Sequence, residues 1–382
     1  MAEHRLQLSG EAPLADQAGP GGAPILRKGF RPFFALAGAY AIVIVPLWIV
    51  IRSGILPGSG WVTPTQWHAH EMIFGFTAAV IAGFLLTAAS NWTKRVTAVG
   101  PGLLLLVGLW VLGRVATTVP GVPAALVAAV DVSFFPAVGI AIGRPIVAAG
   151  SRRNYVFLVL IALFTAASAA VHLEALGLVP GGARRGHLVS VDLVLMVVLV
   201  ITGRIIPAFT RGATGADDIT NSQFLDRATL FGMGVLVVLD AAVPDFPPRA
   251  WLAGVVGILA LLRMRGWGTR HSLKKPLLLV LHVGYLWIPV GLILRAGASL
   301  PLGIPSSAAL HALTAGAIGT LTLGMMARVS LGHTGRVLRA DRGITTAFIL
   351  VTLAATVRVV GTFLGYTPYR RALELSATLW SV

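Results

Sequence analysis

Apolar residues in this chain come in runs as long as a bilayer is thick, separated by short basic connections. The runs fall at 33–51, 69–89, 101–119, 122–142, 154–177, 186–209, 226–243, 250–265, 276–297, 305–328 and 343–365. A last one opens near Leu373 and meets the chain end at Val382, too short to span by itself. About 20 apolar residues carry a helix across a hydrocarbon core. The pattern therefore predicts an all-α polytopic membrane protein of twelve transmembrane helices, the twelfth truncated. Only 12% of residues are charged and mean hydropathy is +0.84, against roughly 25% charged in an ordinary soluble domain. Residues 1–24 mix acids, Gln, Pro and Gly without an apolar core and read as a disordered cytoplasmic tail, leaving 25–382 as the transmembrane domain.

Thirty basic residues against fourteen acidic ones leave a formal charge of +16. In a soluble chain that excess would suggest nucleic acid. Here Lys94, Arg95, Arg152, Arg153, Arg263, Lys274, Lys275, Arg336 and Arg339 crowd alternate connections, as expected of loops held against a cytoplasmic surface. Membrane lipid is thus the expected partner and nucleic acid is not. The same asymmetry predicts a multi-pass protein with a cytoplasmic N-terminus.

There is no cysteine, so disulfides, thiolate ligation and cysteine nucleophiles are excluded. The phosphate-cradling GxxxxGK[ST], the zinc-protease HExxH and the G-x-S-x-G elbow are all missing. Metal chemistry would have to use His, Met, Asp, Glu or Tyr.

Five of the nine histidines gather near one face of the membrane under this topology. His68 and His70, with Glu71, open the second run; His172 and Glu174 close the fifth; His187 opens the sixth, one turn above Asp192. His311 lies about 9 Å inside the tenth at 1.5 Å per residue. Ionisable groups inside spans usually mark a ligand, a relay or a pathway. Any one imidazole alone is equally consistent with a hydrogen-bonded core residue; several at one depth make a shared site the sharper reading.

Residues two apart on a helix point about 200° apart, so His68 and His70 cannot easily grip one ion and should serve different flanks. Three apart, His68 and Glu71 share a face, which makes Glu71 a candidate hydrogen-bond acceptor behind a ligating ring. The segments after His70 and His311 echo one another. Gly follows each at +5 (Gly75, Gly316) and +13 (Gly83, Gly324), and Thr at +23 (Thr93, Thr334). Small residues beneath an imidazole leave room for a flat ligand, though close helix packing selects them as well. His282 and Tyr285 share a helix face as a candidate relay or cofactor bracket, and Arg204 is either a snorkelling side chain or an anion clamp.

These stretches resemble the NnrS family of bacterial haem- and copper-containing membrane proteins. The resemblance is carried by Gly29-Phe-Arg-Pro-Phe-Phe34, Trp67-His-Ala-His-Glu-Met-Ile-Phe-Gly75, Gly83-Phe-Leu-Leu-Thr87, Gly203-Arg-Ile-Ile-Pro-Ala-Phe-Thr-Arg211, Leu281-His-Val-Gly-Tyr-Leu-Trp287, and His311-Ala-Leu-Thr-Ala-Gly-Ala-Ile-Gly-Thr320 running into Arg328-Val-Ser-Leu-Gly-His-Thr-Gly-Arg336. It implies a twelve-helix protein that carries haem, is associated with copper, and relieves nitrosative stress by binding or detoxifying nitric oxide around denitrification. The family's recurrent histidines fall on His68, His70, His282, His311 and His333, with His172 a looser match.

The family in turn looks distantly like haem–copper oxidases, whose helices 2 and 10 carry haem-ligating histidines. This chain has that pairing in His70 and His311. It lacks the adjacent His-His pair that those enzymes use for copper, so oxidase-type turnover does not transfer.

The resulting expectation is a haem b with His70 and His311 as axial ligands. A second site for copper or another haem would use His68 with His172 or His187. Glu71, Tyr285 and His333 would support the ligands, with His282 and Arg204 as further cofactor contacts. An electron donor, unidentified, belongs to the reading in which the protein is a nitric oxide-metabolising oxidoreductase. Two other classes share the residues: a proton-coupled secondary transporter, and a metal-bound sensor or assembly protein without turnover.

Overall fold

The computed structural model describes residues 23–382. The expected N-terminal tail, up to residue 22, lies outside the described residues. From Phe30 onward the chain is a sequence of helices that turn back on one another: α1 Phe30–Arg52, α2 Pro64–Thr93, α3 Gly100–Thr118, α4 Ala124–Ala148, α5 Tyr155–Ala175 and α6 Gly182–Thr214 form the first half. The second half is α7 Gln223–Ala242, α8 Pro248–Met264, α9 Pro276–Ala298, α10 Ser306–His333, α11 Arg342–Gly361 and α12 Tyr366–Ser381. Among the described residues, ten helices are long and apolar enough to cross a membrane. The two that fall short are α7, which carries Asp226, Arg227 and Asp240, and α12, which has 16 residues.

Helix termini explain where expected boundaries moved. The second apolar run begins at residue 69, yet α2 starts at Pro64. Thr63 caps it reciprocally with Gln66, and proline occupies the first turn where no N–H is needed. Capping residues are polar, so an apolar run understates a helix at its ends.

Consecutive helices pack as neighbours, and the last returns to the first: Trp380 on α12 donates from Nε1 to the Ala41 carbonyl of α1 at 3.2 Å. Large apolar side chains such as Leu104, Leu105 and Leu112 on α3 and Trp251 on α8 remain on the outside. That is where lipid, not water, would cover them. The apolar stretch of α2 is 83% buried within the protein against 28% for α1, so α2 lies inside the bundle.

Two helices depart from regular α pitch at matching places. Residues Glu71–Thr77 of α2 and Ala312–Gly319 of α10 are π-helical, and each segment begins directly after a histidine, His70 or His311. The glycine echo therefore has a structural counterpart. Gly75 and Gly316 both lie in wide turns pressed against a neighbour: a β-carbon would come 2.8 Å from Tyr40 of α1 at the first and 2.5 Å from Trp287 of α9 at the second. Such wide turns are frequent at functional sites.

Candidate metal centre

The site starts from a helix break. In α4 the helical run pauses at Ser133, whose hydroxyl bonds back to the Val130 carbonyl at 2.6 Å, a contact that bends helices. Asp131 sits at this bend and is 5% exposed. One of its oxygens, Oδ2, accepts from His70 Nε2 of α2 at 3.0 Å and from His172 Nε2 of α5 at 2.9 Å. The Ser168 hydroxyl approaches the same oxygen at 3.5 Å. The other oxygen is held by Arg114 of α3, whose guanidinium also grips Glu71. The Tyr40 hydroxyl donates to the same Glu71 oxygen. Gly75 makes this possible: a β-carbon there would sit 2.9 Å from Glu71 Oε2 and 3.1 Å from Arg114 Nη1.

Electrostatics leave the cluster incomplete. With both carboxylates ionised, one guanidinium faces two negative charges, which leaves one uncompensated among buried side chains. Buried charge without a partner is costly, and a cation or an added imidazole proton would balance it. Nδ1 of His70 and Nδ1 of His172 are also buried without a hydrogen-bond partner, as is Glu71 Oε1.

Aromatic rings wall the centre. Trp61, in the connection before α2, stacks on His172 at 4.9 Å and stands edge-on to His70 at 5.1 Å. Its indole N–H and that of Trp67 both donate to the Thr117 carbonyl at 2.9 Å, which fixes the wall to α3. His187 of α6 comes within 6.2 Å of His70, ring to ring, with its Nε2 buried and unpaired.

His70, Asp131 and His172 each offer a ligand atom, and these atoms lie within 4.8 Å of one another. Two imidazoles and a carboxylate suit borderline transition metals, among them copper, zinc and iron.

The expected pairing of His70 with His311 is not what the structure forms. His70 is committed to Asp131, on the flank of α2 that faces α4 and α5. Its neighbour His68 points to the other flank, stacked on Trp48 of α1 at 4.2 Å with Nδ1 unpaired, and the charge-bearing groups that act on it are His311 and Arg358. The two rings therefore face different flanks of α2. His172 accordingly joins His70, not His68. His311 Nδ1 bonds to the Ser307 carbonyl at 2.7 Å, which leaves Nε2 as the nitrogen able to ligate.

Other expected site residues are placed elsewhere. His282 has both nitrogens engaged, Nδ1 with Thr269 at 3.0 Å and Nε2 with Thr210 at 3.2 Å. Tyr285 donates to the Ala260 carbonyl at 3.2 Å, so the two form no relay. His333 ends α10 and packs 5.6 Å from Phe30 at the opposite end of the bundle, and Arg204 is exposed near the end of α6. Neither supports the histidine cluster.

Asp131 and Arg114, central to the site, are residues that the histidine pattern does not reach. The available signal is their charge: each stands alone in an apolar run, and such residues inside spans must find partners. A second buried network uses the same signal. Arg295 of α9 bridges Asp192 of α6 at 2.8 Å and Asp240 of α7, and Arg249 of α8 holds Asp240 at 2.7 Å.

The family model described as NnrS protein matches residues 24–382. No curated protein matches the chain.

Proposed function

Because the chain belongs to the NnrS family, we propose that it is a haem- and copper-associated inner-membrane protein that binds nitric oxide at a metal and so relieves nitrosative stress. In this reading α1–α11 cross the bilayer with α12 as a truncated twelfth span, the N-terminus is cytoplasmic, and the histidine cluster lies near the outer face. The observation that carries it is the buried set of His70, Asp131 and His172, three ligand atoms within 4.8 Å on three different helices.

The donor chemistry fits a small cation there, copper in the terms of the family. The unbalanced negative charge of Glu71, Asp131 and Arg114 favours one. The same test separates the haem ligands: His70 is spoken for, whereas His311 keeps Nε2 free through its bond to Ser307, and His68 has an unpaired Nδ1 beside a flat indole. His68 and His311 are therefore the proposed haem ligands, with Arg358 available to a propionate.

A bound redox metal would supply a place for nitric oxide to coordinate and exchange an electron. The chain's own residues set the conditions. Arg114 fixes the orientation of Asp131, Tyr40 and Arg114 hold Glu71, and Trp61 covers the imidazoles. Nitric oxide is small, apolar and membrane-soluble, so a centre walled by Trp61 and Phe74 needs no aqueous channel.

Optical spectra and metal analysis of the purified full chain from haem- and copper-replete cells test this. A Soret band that changes in His68→Ala or His311→Ala, and a metal lost in His70→Ala, are the expected results. Protein with neither Soret band nor bound transition metal would overturn it. Dependence of nitric oxide loss on an electron donor would then identify turnover and separate an enzyme from a sensor.

A further inference from the structure

At the opposite end of the bundle from the histidines, where α5 and α7 begin and α6 and α8 end, four guanidinium groups line one cleft of about 450 Å³. They are Arg153, Arg204, Arg227 and Arg263, with Asp226 as the acid among the lining residues. Arg263 carries the argument. Its side chain is 2% exposed, held by Asp226 through Nε and by the Leu199 carbonyl at 3.0 Å through Nη2, while Nη1 is buried without any partner. The place for it is built into α6. A β-carbon at Gly203 would fall 1.8 Å from Arg263 Nη2, so glycine there is a cradle for the guanidinium.

Arg153, Arg204 and Arg227 are exposed and form no ion pair among the described residues, and Arg153 is close enough to act electrostatically on Arg204. Snorkelling places a guanidinium in water but does not by itself gather several in one cleft. Here four arginines and Asp226 share one lining, a net charge of three positive. Val156, Val200 and Leu230 line the same cleft. Charged donors beside apolar side chains match a phosphate group attached to, or lying above, hydrocarbon, and guanidinium forks bind phosphate oxygens bidentately.

We propose that this cleft binds a phosphate-bearing anion, with Arg263 as its buried donor and Arg204 and Arg227 as its outer clamp. A phospholipid head group and free phosphate share that chemistry. The inference stands apart from the metal reading, which uses none of these residues.

Native mass spectrometry of the full chain tests it with three probes: phosphatidylglycerol, phosphatidylcholine as the zwitterionic comparison, and inorganic phosphate. The variant R204Q/R227Q removes two exposed arginines and leaves Arg263 in its cradle. R336Q/R339Q removes the same charge from exposed positions after α10. Retention of phosphatidylglycerol over phosphatidylcholine, weakened roughly tenfold or more in R204Q/R227Q and little changed in R336Q/R339Q, is the expected result for a lipid occupant. Inorganic phosphate bound with the same variant dependence, and displacing the lipid, would assign a soluble anion to the same site. Equal behaviour of the two double variants, or no binding of either anionic probe, would overturn the proposal.

Discussion

His70 and His172, on helices 102 positions apart in the chain, reach the same atom, Asp131 Oδ2, at 3.0 and 2.9 Å. One carboxylate oxygen thus sets the aim of two imidazoles from α2 and α5. Replacing Asp131 by Asn keeps the shape but removes the charge that draws both rings and any cation. We expect Asp131→Asn to lose bound metal along with His70→Ala and His172→Ala, whereas His333→Ala retains it. Metal content per purified chain is the measurement; equal retention in all four would remove Asp131 from the ligand set.

Arg114 is the group between Asp131 and Glu71. Removing one member of a buried ion pair leaves the others without compensation and costs about 3–5 kcal/mol. Arg114→Met should therefore lower the thermal midpoint in detergent sharply. The combined change Arg114→Met with Glu71→Gln restores the charge count and should recover part of the loss. No recovery would show that shape, not charge, is what Arg114 supplies.

The second buried network gives a parallel case outside the set of His70, Asp131 and His172. Arg295 joins Asp192 and Asp240 across three helices. Arg295→Met strands Asp192 and leaves Asp240 with Arg249 alone, so the same order of destabilisation, about 3–5 kcal/mol, is expected without change in bound metal. A loss of metal in this variant would mean that the two networks are mechanically linked.

His282 is expected to behave as a core residue. Its ring bridges the buried Thr210 and the half-buried Thr269, and losing it leaves both hydroxyls a partner short, at no more than about 1–3 kcal/mol, the cost of an unsatisfied buried group. His282→Ala should lower thermal stability and leave the Soret band and metal content intact. A changed spectrum would return His282 to the ligand set.

The glycines of the two π segments are testable against one that meets nothing. Gly316→Ala would press on Trp287, and overpacking of this kind costs about 1–3 kcal/mol. Gly108→Ala on α3 meets no atom within 4 Å and should be neutral or slightly stabilising. Thermal midpoints of the two variants, compared side by side, decide between close packing and mere glycine abundance.

The helices were legible because hydrocarbon length and apolar runs measure the same thing. The run expected over 276–297 is α9 within one residue. The place of each histidine along its helix was legible too, since it follows from counting residues. Their azimuth was not. His70 and His311 each stand just before a π segment, but which flank each ring faces depends on how its helix is rotated among its neighbours, and no single-helix periodicity contains that. Asp131 and Arg114 were passed over for a related reason. A lone charge in an apolar run announces that it needs a partner without saying which, and Arg114 and Asp131 are brought together by the turn between α3 and α4.

The wide turns after His70 and His311 each spread one extra residue around the axis. Deleting a residue from either segment to restore ordinary pitch would swing the imidazole by about 100° against everything downstream. The inserted residue thus works as an angular offset between two jobs of one rod. Beyond it, Gly83 stays seated against Phe34 of α1; before it, His70 is free to be steered toward Asp131. The direction of the ring and the anchoring of the rod are therefore set by separate stretches, and either could drift in evolution without dragging the other along.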